Sequence, residues 1–385
     1  MNFSMTRGRA SEGLLYFFLV ALGIAGVLSP TQFNVLPAGG ILEVVFFVCA
    51  TLAIRVPKKS VLLFFCGALI YVGGSLALMV LFQPSNYLDF AQTYKAFIYV
   101  APLCIFYKSN TFDRKRALLL LKLVLLLFAV KYFYSIALNI TPRMGSRPGL
   151  YVENNFEIIF LILLFYVLRF DFGRSLSKWF GLLVLIVVAS GSRSSMLALL
   201  VMFAGVYLTK ISLRTFFYTV GLAALGGTAV AVFLTRSEGG GIETIDRYRF
   251  MMVFVYEVSN WPFWKFFTGN FPITPLSPES CKVLIDYQRL FSFSDDGSCY
   301  SVILHSYFLR AVLDHGLVGL AFLFGFIAHA MRGAGYSKID AAVVLGVISA
   351  SALSVSAVNS IFVSLALAIA FGLRPTHADP RCEQR

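Results

Sequence analysis

"VVASGSRSSMLALLV", residues 187–201, decides how the rest of the chain is read. One apolar run ends at Ser190. Gly191-Ser192-Arg193-Ser194-Ser195 interrupts it, and a second apolar run begins at Met196. If both runs cross a bilayer, Arg193 sits at a membrane surface. It is then either a turn residue snorkelling to the headgroups or a guanidinium held there to grip an anion.

Working outward, apolar runs of roughly 17–22 residues recur along the chain, enough to cross a hydrocarbon core of about 30 Å. The 385 residues are 58% hydrophobic and only 13% charged, where a water-soluble domain is about a quarter charged. The runs do not alternate, which disfavours a β-barrel. The pattern predicts an all-α, polytopic helical membrane protein with about twelve transmembrane helices. Their spans are 12–29, 39–55, 60–82, 91–107, 117–138, 154–170, 178–190, 195–209, 215–234, 306–330, 341–357 and 359–373. The first reads as a retained helix rather than a cleaved signal, because no small-x-small site ends it. No internal repeat is visible, which counts against a transporter built from inverted halves.

The formal net charge is +13. Under this topology Lys and Arg crowd the even-numbered connections and both tails about two to one. The positive-inside rule then accounts for the excess without nucleic acid and puts both termini in the cytoplasm. Residues 1–234 carry the first nine spans, 306–373 the last three, and 374–385 form a cytoplasmic tail. Residues 235–305 are one long periplasmic loop; loops of that length are functional or disordered. This one holds Trp261, Trp264 and a helical stretch at 244–259, followed by Pro262, Pro272, Pro275 and Pro278, so it is expected to fold against the membrane. It also holds Cys281 and Cys299, which an oxidising compartment would pair.

The candidate chemistry lies on the same outer side. Arg193 has company in Arg143 and Arg147 of "TPRMGSRPGLYVENN" and in Arg247 and Arg249 of "IDRYRFMM". Guanidinium is a rigid, permanently charged fork that matches phosphate oxygens. Lys95 and Lys131 lie inside spans, where ionisable residues mark function by default; Lys95 is nearer the outer surface. Glu153 and Glu157 are outer acids one helical turn apart, and Glu153 either pairs with Arg147 or meets an acceptor sugar. His305 falls where the long loop re-enters the membrane and is the candidate general base, whereas His315 and His329 read as structural. Asp295-Asp296 reads either as a pair that binds a divalent cation or, with Gly297, as an ordinary turn sequence, the commoner case. Four scattered histidines make no metal site, and no nucleotide loop or nucleophile elbow is present.

Three segments carry a family resemblance. "SGSRSSMLALLVMF", "DRYRFMMVFVYEVSNWPFWKFFTGN" and "HSYFLRAVLDHGLVGLAFLF" resemble, in that order, motifs of the bacterial O-antigen polymerase and O-antigen ligase superfamily. The resemblance covers about residues 185–325. It implies a GT-C-like membrane glycosyltransferase of the bacterial inner membrane, working without metal or other cofactor on an undecaprenyl-pyrophosphate-linked oligosaccharide. Carried over, Arg193 would bind pyrophosphate with Arg247 or Arg249, and His305 would activate the acceptor or assist the leaving group. Arg143, Arg147, Glu153 and Lys95 would complete the substrate site. His305-Ser306 stands where ligases commonly have His-Asn. The expected function is therefore polymerisation of lipid-linked repeat units into O-antigen, capsule or exopolysaccharide. Transfer to lipid A-core is the alternative, and a polyprenyl-linked glycan flippase or transporter is the alternative of another class. The partners implied are the bilayer, a flippase and a chain-length regulator.

Overall fold

The computed structural model describes residues 2–53, 56–138, 148–208, 220–221, 226–227, 246–294 and 296–374. Fourteen α-helices are named among them: α1 (Asn2–Leu28), α2 (Ala38–Leu52), α3 (Lys59–Phe82), α4 (Tyr87–Phe106), α5 (Arg114–Ala137), α6 (Asn154–Leu168), α7 (Leu176–Ser190), α8 (Arg193–Tyr207), α9 (Asp246–Val258), α10 (Lys265–Thr268), α11 (Pro278–Val283), α12 (Tyr307–Gly333), α13 (Lys338–Ala352) and α14 (Ile361–Gly372). The bridge between Phe112 and Leu373 is the one β contact among the described residues.

Among the described residues four helices are long and apolar enough to cross a membrane: Gly8–Leu28 within α1, α3, α5 and α12. This corrects the expectation of about twelve spans in a GT-C-like arrangement. The physical reason is that a short apolar run reads the same whether it faces lipid or a protein core. Helices α2, α6, α7, α8 and α13 have 15 residues each and α14 has 12. At 1.5 Å per residue they reach about 18–22 Å, short of a bilayer core. Every residue of α14 is buried, and every residue of α6 but Phe156. Their hydrophobicity is spent on packing: α14 lies against α6 and α4, and α8 against α13 and α6. The reading as a multi-pass inner-membrane protein with both termini cytoplasmic is corrected with it, because orientation was counted over connections between spans that the structure does not form. The ninth expected span, 215–234, lies largely outside the described residues.

One main core runs through the helices, from Leu15 and Leu19 of α1 to the whole of α14. Polar anchors set how the ends meet it. Lys131 of α5 is buried, and its ammonium donates to the carbonyls of Ser29 and Thr31 at 2.8 and 3.0 Å and to the Tyr134 hydroxyl at 3.1 Å. It thereby closes off carbonyls that follow the end of α1, a structural role for a residue whose position had suggested function. At the far end of the bundle Arg169 pairs with Asp340. Tyr166 donates to Asp340 at 2.9 Å, and the Arg169 guanidinium lies 4.0 Å from the Tyr166 ring centre.

The long connection before α12 has a small core of its own. Phe250, Val253, Leu276, Leu284, Phe291, Ile303 and Leu304 bury one another around Cys299. Cys281 and Cys299 are disulfide-bonded, with Cα atoms 5.7 Å apart. The connection is fastened to the bundle where α10 meets α12. Gly316 interrupts α12 at φ 63°, ψ −175°, a conformation essentially confined to glycine. Gly269, at φ 75°, lies against it, and a β-carbon there would be 2.7 Å from the Gly316 nitrogen. The Asn270 N–H donates to the Leu313 carbonyl at 2.7 Å across this crossing.

Candidate functional site

A cavity of about 550 Å³ opens where α2, α4, the start of α6, the long connection, α12 and the segment before α14 converge. Three cations line it, Lys95, Arg289 and Arg310, together with His305. Glu43, Asp89 and Glu153 are its acids, and Gln92, Ser292, Ser356, Asn359 and Ser360 add hydrogen-bonding groups. Phe156, Phe293 and Phe362 add apolar wall. A concave site with a few convergent polar groups on an apolar wall is the ordinary form of a small-molecule site.

Each wall is held by its own chemistry. Asn86 caps α4, its side chain accepting from the Leu88 N–H. One turn on, buried Asp89 accepts from the Ser292 hydroxyl at 2.6 Å and from the Phe293 N–H at 3.2 Å. That pair draws the loop carrying Arg289 and Leu290 over the cavity, and Arg249 fixes the same loop from outside by pairing with Asp286 at 2.7 Å. Lys95 pairs with Glu43 at 2.5 Å, joining α4 to α2. The side-chain amide of Asn359 spans one rung of α4. Its Nδ2 donates to the Gln92 carbonyl at 2.9 Å, and its Oδ1 accepts from the Ala96 N–H at 3.2 Å. Arg310 also donates to the Gln92 carbonyl, and its Nε lies 3.7 Å from a carboxylate oxygen of Asp314. Arg310 is thus a buried guanidinium at the cavity wall, only 3% exposed.

Val152 and Glu153 reach the cavity because Glu157 folds the segment before them. Its carboxylate accepts from the N–H groups of Leu150, Tyr151 and Val152 at 2.8, 2.7 and 3.1 Å and from the Tyr132 hydroxyl at 3.3 Å. Burial pushes the Glu157 carboxyl up to about 7, and the three N–H donors pull the other way. Glu157 is therefore a structural anchor beneath the site, whereas Glu153 lines it. His305 packs edge-on to Phe250 and Tyr287, with ring centres 5.2 and 6.4 Å away, and its carbonyl accepts from Ser356 at 3.3 Å.

The residues singled out in the sequence are dispersed. Lys95, Glu153 and His305 share the cavity. Arg193 is the first residue of α8 and is not among the lining residues. The turn before it is locked to α6: Gly191 takes φ 58°, the Ser192 hydroxyl donates to Asn155 Oδ1 at 2.7 Å, and Asn154 donates to the Ser190 carbonyl at 3.1 Å. Arg247 donates to the Ser354 hydroxyl, two residues from the lining Ser356. Arg249 holds the loop from outside, as above. Arg143 and Arg147 lie outside the described residues. No group of three or more His, Cys, Asp and Glu side chains that could hold a metal ion occurs among the described residues.

Sequence reasoning passed over Asp89, Arg289, Arg310 and Asn359. Arg310 had a legible signal, an Arg–Asp pair four residues apart inside an apolar run. Asp89 and Asn359 had none, since their partners are more than two hundred residues away.

The chain matches no family model, no curated protein and no solved structure. The resemblance to the O-antigen polymerase and ligase superfamily is corrected on that ground. Its motifs are short, and their order does not extend to a match over the chain. The polymerase, ligase and flippase readings fall with it, because they rested on the resemblance and on the twelve-span topology.

Proposed function

We propose that the 550 Å³ cavity is the substrate site of an enzyme that transfers a group, in the first instance a glycosyl group, from a phosphate-bearing donor to a hydroxyl. The observation that carries this reading is the meeting of Arg289, Arg310, Lys95 and His305 on one concave surface. Fixed cations beside a leaving phosphate stabilise the charge that develops on it, most strongly where water is excluded. Arg310 is preorganised for that task by the Gln92 carbonyl and Asp314. Arg289 approaches from the loop that Asp89 draws inward. His305 is the proton acceptor for the attacking hydroxyl. Glu153, Asn359 and Gln92 hydrogen-bond the remaining hydroxyls, and the apolar wall that the phenylalanines form covers the apolar faces of a sugar.

The test is calorimetric titration of purified protein with pyrophosphate and with sugar 1-phosphates. Saturable binding of both is expected. Arg289→Ala removes a charge-assisted contact and should weaken binding about tenfold or more, while His305→Ala should bind normally and lose transfer. Absence of saturable phosphate binding in a folded sample, or binding indifferent to Arg289→Ala, refutes the assignment.

A further inference from the structure

The strongest unexplained surface lies away from the cavity, in "WPFWKFFTGNF", residues 261–271. Pro262 opens a tight turn, with Lys265 N–H donating to its carbonyl at 2.9 Å, and α10 ends at Gly269. Gly269 and Gly316 bring this backbone against α12, so the aromatic side chains are displayed outward from a fixed base. Phe263 is 79% exposed and Trp264 63%. Phe263 packs on Phe267, and Phe271 packs on Phe82 at the end of α3, with ring centres 5.2 and 6.5 Å apart. An ordinary surface does not hold its largest apolar side chains out in a contiguous group.

The neighbour identifies the occupant. Helix α3 is one of the four helices long and apolar enough to cross a membrane, and only 17% of its most apolar window is buried in the protein. Leu63, Ile70, Leu81 and Phe82 stand outward along it. Phe267 and Thr268 share an apolar cavity with Gly67 and Tyr71 of α3, so the segment runs beside that helix and continues its apolar face. At the edge of the patch the Lys265 ammonium sits 4.7 Å from the Trp261 ring centre, where it can meet a phosphate headgroup. Tryptophan and lysine at the margin of a membrane-length apolar helix are the chemistry of a bilayer interface.

We propose that residues 261–271 are a lipid-contacting segment that seats beside α3 in the bilayer, with Trp264 and Phe263 among acyl chains and Lys265 at the headgroups. The experiment uses the full chain reconstituted in phosphatidylcholine vesicles, with and without brominated acyl chains. Trp179→Phe with Trp261→Phe leaves Trp264 as the sole tryptophan, since the chain has three. Brominated lipid should quench its emission about twofold or more, and aqueous acrylamide should scarcely reach it. The same reading can be taken as the difference between wild type and Trp264→Phe, which leaves the packed Trp261 in place. Quenching by acrylamide but not by bromine overturns the proposal. So does a Trp264 shielded from both, with cross-linking there between two chains, which would make the patch a contact between copies.

Discussion

Replacing Glu157 tests whether a buried carboxylate builds the wall behind the cavity. Its Oε2 accepts from the Tyr151 and Val152 N–H groups, and its Oε1 from Leu150 and Tyr132. Glu157→Leu leaves three N–H groups with no acceptor. At about 1–3 kcal/mol for each buried unpaired group, the loss is about 3 kcal/mol at least. Glu157→Gln keeps one oxygen for Tyr151 and Val152, but its new NH2 faces the Leu150 N–H. That strands one donor, while Tyr132 can turn its hydroxyl to accept, so the loss is about 1–3 kcal/mol.

The two substitutions also differ from wild type in pH dependence. Burial raises the folded carboxyl to about 7 from its ordinary value of 4.5. Between those values the folded state holds the proton and the unfolded state releases it. The stability this group contributes is therefore fully present below pH 4.5 and is lost as pH rises to about 7. The span corresponds to about 3 kcal/mol. Glutamine does not titrate, so the gap between wild type and Glu157→Gln should be wider at pH 5 than at pH 7.5. Thermal unfolding of detergent-purified protein across that range reads both effects, at about 2 °C per kcal/mol for a chain of this size. A Glu157→Leu protein melting within about 2 °C of wild type, together with a gap that ignores pH, would refute the reasoning.

Other substitutions probe the scaffold. Asp340→Asn strands the buried Arg169 guanidinium and should cost about 3–5 kcal/mol in thermal unfolding. Burial alone would raise the Asp340 carboxyl, but Arg169 and Ser337 hold it below its usual range. The pair's contribution is therefore present above about pH 4 and lost on further acidification, a loss the Asn variant should lack. Gly316→Ala puts a β-carbon 2.2 Å from the Phe267 carbonyl oxygen at a left-handed φ. It should free the amides near Asn270 to exchange, read by hydrogen–deuterium mass spectrometry, and unchanged protection there would count against the crossing as the fastening point. Cys281→Ser with Cys299→Ser opens an 18-residue separation and should cost about 3 kcal/mol by the loop-closure argument, measured by denaturant unfolding under non-reducing conditions.

The sequence revealed the helices more readily than what surrounds them. The runs at 154–170 and 359–373 were visible as apolar helices, and α6 and α14 occupy them. Whether lipid or protein covers such a run depends on partners far along the chain, and a local pattern carries no information on that. The turn at 190–195 shows the same division. Its interruption was legible, but its locking to Asn154 and Asn155 of α6 was not. Of the site, His305, Lys95 and Glu153 were in view. Arg193 stands out by its neighbours in sequence, while the cations that line the cavity, Arg289 and Arg310, come from a loop and from the interior of a helix.

The Asn359 amide that spans one rung of α4 ties two distant side chains, Asn359 and Arg310, to one main-chain oxygen. Gln92 offers the carbonyl, Asn359 completes the rung, and Arg310 shares the same oxygen. That oxygen is main chain and survives any substitution at position 92, so the coupled pair is Asn359 and Arg310: the first loss should be severe and the second mild, a departure from additivity expected within one network. A library that varies these two positions independently will find few tolerated single changes. Functional replacements should arise as coupled pairs, and this part of the cavity wall can drift in sequence only along those joint routes.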